Sequence, residues 1–229
     1  MRNTLIGQGI AEFIGTFMLI FVGAGAVTVF SRGGIDAALV VAALAHGLIL
    51  IAIIATFGSI SGAAVNPAIT FGLLLGGKIN GLKALVFWAA QFAGGILGAF
   101  VITLAIPDIA RVNGVQQIGQ TVPTANITTL QILLIEGLLT FFLTSTVYQT
   151  AIYGRGPVPA GVAIGFTLAA CILLGGAITG ASLNPARTLG PGLISGDMNQ
   201  IGIYLAAQFI GGAVAGVLHG YIFGFSSGK

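Results

Sequence analysis

The same ten-residue pattern occurs twice in this chain, as Ser61-Gly62-Ala63-Ala64-Val65-Asn66-Pro67-Ala68-Ile69-Thr70 and as Thr179-Gly180-Ala181-Ser182-Leu183-Asn184-Pro185-Ala186-Arg187-Thr188. In both copies Asn suits a helix N-cap, and the Pro after it suits the first helical position, where no backbone N–H is needed. Each copy therefore starts a helix. The apolar run that follows is short, covering 66 to 76 in one copy and 184 to 194 in the other, against the roughly 20 residues that cross a bilayer. These segments read as half-helices that enter to mid-depth and turn back.

The rest of the chain supplies the membrane. Only 6% of residues are charged, against roughly 25% in soluble domains, and eight basic with five acidic side chains cannot cover the surface of a soluble protein this size. The net charge of +3 rests on few residues, and no basic patch with interleaved aromatics points to nucleic acid. Cys171 is the only cysteine, so neither an intrachain disulfide nor a cysteine metal cluster is expected, and no cofactor is. The apolar run Ile10 to Phe30 is longer than a signal-peptide core and contains Glu12, so it reads as a first span. Six spans follow from hydropathy: 8 to 30, 37 to 57, 84 to 106, 128 to 151, 158 to 178 and 200 to 224. The expected fold class is all-α, six transmembrane helices plus two re-entrant half-helices.

The halves also match outside the repeated pattern. Glu12, Thr16 and Phe17 recur as Glu136, Thr140 and Phe141, and Ala89-Ala90-Gln91-Phe92 with Gly94-Gly95 recurs as Ala206-Ala207-Gln208-Phe209 with Gly211-Gly212. Three spans per half is an odd number, so the second half must sit upside down relative to the first, with the site near the midplane where the halves meet. The expected division is one channel domain, 1–229, with inverted repeats 1–107 and 127–229 joined by an external loop 108–126. With the N-terminus inside, Arg2, Lys78, Lys83, Arg155 and Lys229 are cytoplasmic, while Arg32 and Arg111 are external. That bias favours both termini in the cytoplasm, and the cell membrane is the expected location. Asn126-Ile127-Thr128 matches a glycosylation sequon, but it lies at a helix start, which favours an N-cap role.

Two half-helices meeting from opposite faces bring two positive dipole ends, each about half a charge, to the middle of the membrane. A cation there is repelled. If the Asn66 and Asn184 oxygens cap their own helices, the two amide NH₂ groups point outward as donors to a passing oxygen. A water so held turns its hydrogens away from both and interrupts a proton-conducting chain. The chemistry is that of a pore for small neutral molecules bearing oxygen.

From Ala11-Glu12-Phe13-Ile14-Gly15-Thr16 to the glycine-rich last span, the chain resembles the aquaporins of the major intrinsic protein family. That resemblance implies a passive water channel, a homotetramer in membrane lipid with a pore in each protomer, and no enzyme activity. It makes Asn66-Pro67-Ala68 and Asn184-Pro185-Ala186 the pore motifs. Arg187 matches the family's filter arginine, and His46, Ile172 and Ala181 fall on its other filter positions. The set is similar to that of plant vacuolar-type aquaporins and departs from strict water channels, which pair Phe with His. Ile172 and Ala181 imply a wider, less polar opening that admits ammonia, urea or glycerol beside water. Thr188 and Gly192 replace the acidic and basic residues usual in dedicated glycerol channels, and Tyr204-Leu205 is intermediate. Ser59 and Ala64 stand where water channels often carry histidines.

The matched places of Glu12 and Glu136 favour hydrogen bonding to the re-entrant backbone over a proton relay. Gln91 and Gln208 read as helix-to-helix hydrogen-bonding residues. Within the channel class, the alternative is a glycerol, urea or ammonia facilitator with water incidental. A gradient-coupled transporter needs a coupling site, and beyond the two glutamates no acid lies at depth.

Overall fold

The computed structural model describes residues 4–30 and 35–224; Arg2, Arg32 and Lys229, counted in the charge bias, lie outside the described residues. Eight helices follow in order: α1 Leu5–Phe30, α2 Ile35–Phe57, α3 Pro67–Leu75, α4 Gly81–Ala105, α5 Thr129–Val147, α6 Ala160–Gly175, α7 Pro185–Ser195 and α8 Ile201–Val217. Helices α5 and α8 each continue as a wider π-helical turn, Tyr148–Ile152 and Leu218–Ile222. The fold is the six-span, two-half-helix inverted repeat, with α3 and α7 as the half-helices. Nine residues at 1.5 Å per residue make α3 only about 14 Å long, half the roughly 30 Å hydrocarbon core.

Five spans pass on length and hydropathy, and α6 is the short one at 16 residues. Hydrogen-bonded turns extend it: the Gly176 N–H donates to Ile172 O and the Thr179 N–H to Gly175 O, both at 2.8 Å. The chain thus stays coiled until the second repeated segment begins.

Helix α1 packs on α4, α5 on α8, and α2 on α6. The half-helices cross between the halves, α3 lying on α8 and α7 on α4. The glycine pairs permit this. A methyl at Gly95 would sit 2.8 Å from the Ala186 carbonyl oxygen, and one at Gly212 would meet the Ala68 carbonyl. Each half-helix therefore rests its Asn-Pro-Ala backbone directly on a glycine of the other repeat.

The external loop is ordered rather than draped. Arg111–Val112 (β1) and Val115–Gln116 (β2) pair antiparallel, Ile118 is fully buried, and the Thr124 N–H donates to Ile178 O at 2.9 Å. Thr121 packs against Gly180, so the loop reaches the segment preceding Ala181. The expected N-cap role falls on the last residue of the Asn126-Ile127-Thr128 tripeptide. The cap of α5 is Thr128, whose hydroxyl accepts from the Gln131 N–H while the Gln131 side chain accepts from the Thr128 N–H; Asn126 sits earlier in the turn at φ 65°. A reciprocal capping box satisfies two orphan donors, and a single asparagine oxygen competes poorly with it.

Candidate functional site

The two repeated segments hang from the two buried glutamates by the same four hydrogen bonds. Glu12 accepts from the Ser61 hydroxyl at 2.6 Å, the Ala64 N–H at 3.0 Å, the Val65 N–H at 2.7 Å and the Gln91 amide at 2.7 Å. Glu136 accepts from the Thr179 hydroxyl at 2.7 Å, the Ser182 N–H at 3.0 Å, the Leu183 N–H at 2.9 Å and the Gln208 amide at 2.9 Å. Each of the four carboxyl oxygens accepts two of these bonds, so each side chain ties its re-entrant segment to a neighbouring helix.

These bonds hold backbone that would not stay folded alone. Ala63 and Val65 in the first segment, and Ala181 and Leu183 in the second, have φ of 51°, 41°, 43° and 57°. The left-handed region costs a residue with a Cβ roughly 1–2 kcal/mol, and for a β-branched valine it is a true outlier. Such strain persists only where surroundings over-determine it, and here the carboxylates do. The reward is an irregular backbone at membrane depth that lines a cavity.

Each asparagine caps its own half-helix. Asn66 Oδ1 accepts from the Ala68 and Ile69 N–H groups at 2.9 and 3.4 Å, and Asn184 Oδ1 from the Ala186 and Arg187 N–H groups at 2.9 and 3.3 Å. The two amide groups also hydrogen-bond across the repeat. Asn66 Nδ2 donates to Leu183 O and Asn184 Nδ2 to Val65 O, both at 2.8 Å. The two N-termini are thus stitched together across the repeat, and each amide keeps one hydrogen for other partners.

A cavity of about 410 Å³ runs past both asparagines. Its wall includes the backbone from Ser61 to Val65, with apolar side chains of Leu19, Leu50, Leu143 and Val147. His46 of α2 and Arg187 of α7 line it, as do Lys78 from the α3–α4 connection and Lys83 of α4. The outer edge of the His46 ring, Cδ2, Nε2 and Cε1, packs against Gly23 of α1. Its Nδ1 lies 2.8 Å from Ala42 O, which can only accept, so Nδ1 carries a hydrogen, and in that tautomer Nε2 is the ring's acceptor. That Nε2 and Arg187 Nη1 are buried without a protein partner. His46 and Arg187 therefore bring an acceptor and a cationic donor to the same cavity. Ile172 and Ala181 are 3% and 2% exposed, and neither is among the residues lining this cavity.

Other residues complete the scaffold, and sequence reasoning did not single them out for it. Thr70 pairs with Gln91, and Thr188 with Gln208 and with the Ser182 hydroxyl. Their matched positions in the repeat were the available signal. Trp88 Nε1 donates to Pro67 O at 3.0 Å and the Tyr204 hydroxyl to Thr179 O at 2.5 Å, one brace for each repeated segment. These two have no local signature.

A six-span bundle whose two half-helix N-termini meet inside a cavity is the architecture of a membrane channel. The family model described as Major intrinsic protein matches residues 1–219, and the chain belongs to that family. It is 38% identical over 226 residues to probable aquaporin TIP3-2 of Arabidopsis thaliana, covering 93% of this chain and 82% of that protein. Aquaporin TIP1-2 of Zea mays is 37% identical over 222 residues, with 93% and 85% covered. Among solved structures, the aquaglyceroporin from Plasmodium falciparum superposes with a TM-score of 0.74 at 24% identity, covering 97% of each chain, a likeness of fold.

Proposed function

We propose that the cavity is a passive pore for water that excludes protons and ions at two levels. The stitched pair of half-helix N-termini carries the reading: two positive dipole ends repel cations, and the remaining amide hydrogens of Asn66 and Asn184 orient a water oxygen. Pro67, Ala68, Pro185 and Ala186 shape these helix starts. His46, Ile172, Ala181 and Arg187 form the filter, in which the Arg187 guanidinium adds a fixed positive charge and His46 Nε2 an acceptor. Glu12 and Glu136 support the loops. The protein is a channel and not an enzyme.

As filter residues, the apolar Ile172 and Ala181 would leave a wider, less polar opening and favour a second solute class, with ammonia, urea or glycerol passing beside water. The domain division is 1–229 as one channel domain, with repeats 1–107 and 127–229 and connecting loop 108–126. The assembly is a homotetramer in lipid. The location is the cell membrane with both termini in the cytoplasm; basic residues in the loops support the orientation, while the TIP-type relatives lend no support to the choice of membrane. Stopped-flow shrinkage of proteoliposomes tests the channel: accelerated water efflux without proton leak is expected, and shrinkage no faster than empty vesicles overturns the reading. Permeabilities for glycerol, urea and ammonia measured alongside rank the solutes.

A further inference from the structure

The inner end of the cavity carries charge that water passage does not use. Lys78 follows the turn that ends α3, its N–H donating to Leu73 O at 2.8 Å, and Lys83 lies in the first turn of α4, whose cap is Asn80. Both line the cavity, with Thr150 and Ala151 on the opposite wall. Arg155, in the loop after α5, stands beside them. The Tyr153 ring has the Lys78 ammonium 4.9 Å from its centre and the Arg155 guanidinium 4.7 Å from it, so one ring holds two cations within about 10 Å of each other. The ring is fixed by its hydroxyl, which donates to His219 O at 2.5 Å, and Arg155 by one guanidinium N–H donating to Phe223 O at 3.1 Å.

No carboxylate balances this group among the described residues. Glu12 and Glu136 are consumed by the re-entrant loops, and Asp108 and Asp197 follow the outer ends of α4 and α7. The remaining acid, Asp36, belongs to the outer end of α2. The positive-inside bias accounts for basic residues on this face. It does not account for three of them gathered round a pore entrance, two sharing one aromatic ring.

We propose that this mouth binds a phosphate-bearing anion across Lys78, Lys83 and Arg155, and that the bound anion narrows the entrance and slows flux. A phosphate monoester carries nearly two negative charges and three acceptor oxygens, which suits two ammonium groups and a guanidinium that has donors beyond the one given to Phe223. The exposed rings of Tyr221 and Phe223 flank the site with apolar surface where the chains of an inner-leaflet lipid would lie. A soluble phosphate would reach the same cations from the cytoplasm. The flux half of the proposal rests on the reading of the cavity as the pore.

The test uses the full-length protein in phosphatidylcholine vesicles, with inorganic pyrophosphate added in one arm and phosphatidylinositol bisphosphate included in the bilayer in the other. Binding is read by thermal shift and titration, and water flux by shrinkage. In at least one arm the wild type binds and its flux falls about twofold, while K78Q/K83Q weakens binding roughly tenfold, as expected for a lost charge-assisted hydrogen bond, and abolishes the slowing. Arg155→Gln, outside the cavity lining, provides an independent variant with the same direction. The responding arm identifies the source. No binding in either arm, or equal binding by wild type and variants, overturns the site, and binding without slowing overturns its effect on flux. Flux in anion-free phosphatidylcholine vesicles reports the channel reading separately.

Discussion

The segment before α3 and the segment before α7 are suspended by the same four bonds and strained at the same places, yet they present different chemistry to the cavity. The first offers small and apolar groups, with Ile69 where the second has Arg187. The second also carries Ser182, whose hydroxyl reaches Thr188, where the first has Ala64. Repetition supplies a symmetric scaffold, and substitution at a few positions makes the two segments chemically distinct. What is shared should govern folding, and what differs should govern solute choice.

The largest effect tests the shared part. Glu12→Ala and Glu136→Ala each strand one hydroxyl, two backbone N–H groups and one amide, at about 1–3 kcal/mol per buried orphan. Both variants should lose folded protein, read as monodisperse material in detergent, and with it water flux. If one folds normally and the other does not, the two segments are not energetically equivalent.

Next comes the unshared charge. Arg187→Ala should raise proton or cation leak by about tenfold or more, the change given by 1.4 kcal/mol of lost barrier, whereas Ile69→Ala in the first segment should leave it unchanged. Equal leak in both would assign ion exclusion to the dipoles and asparagines alone.

The glycine contacts return to what is shared. Gly95→Ala and Gly212→Ala each force a methyl against the carbonyl of the opposite half-helix, an overpacking of about 1–3 kcal/mol. Both should lower the melting temperature and slow water flux. A loss confined to one would break the symmetry of the crossing.

Much of this comparison could be read from the chain. Asn-Pro-Ala followed by too few apolar residues defines a half-helix, and the recurrence of Glu12 as Glu136 and Gln91 as Gln208 announces a paired scaffold. What could not be read is what the halves do to each other. The donation of Asn66 to Leu183 and of Asn184 to Val65 depends on two chain-distant loops meeting in space. The π-helical ends of α5 and α8 and the charge cluster at Tyr153 likewise arise from packing between elements, whereas the Thr128 cap is a local Thr-x-x-Gln box. Arg187 was legible because a lone cation at membrane depth is conspicuous, whereas Lys78 and Lys83 were hidden among the ordinary basic residues of cytoplasmic loops.

A smaller change bears on solute range. Ile172→His should narrow the filter and reduce glycerol or urea flux more than water flux, measured side by side in the same vesicles. Equal reduction of both would remove Ile172 from the proposed filter and leave it to His46 and Arg187, both of which line the cavity.

The smallest expected effect separates the two braces. Trp88→Phe frees Pro67 O, and Tyr204→Phe frees Thr179 O, each at about 1 kcal/mol. The stability losses should therefore be similar, but the consequences for selectivity should not. Pro67 belongs to a helix start that Asn66 already caps, so its position survives. Thr179 begins the segment that runs through Ala181 to Arg187, and its hydroxyl is one of the four donors to Glu136. Loosening it lets the outer constriction shift while the central asparagines stay stitched. Tyr204→Phe should alter the glycerol-to-water permeability ratio and leave proton exclusion intact, while Trp88→Phe should leave the ratio unchanged. A ratio that moves equally in both would mean that selectivity is set by the scaffold as a whole and not by the second segment.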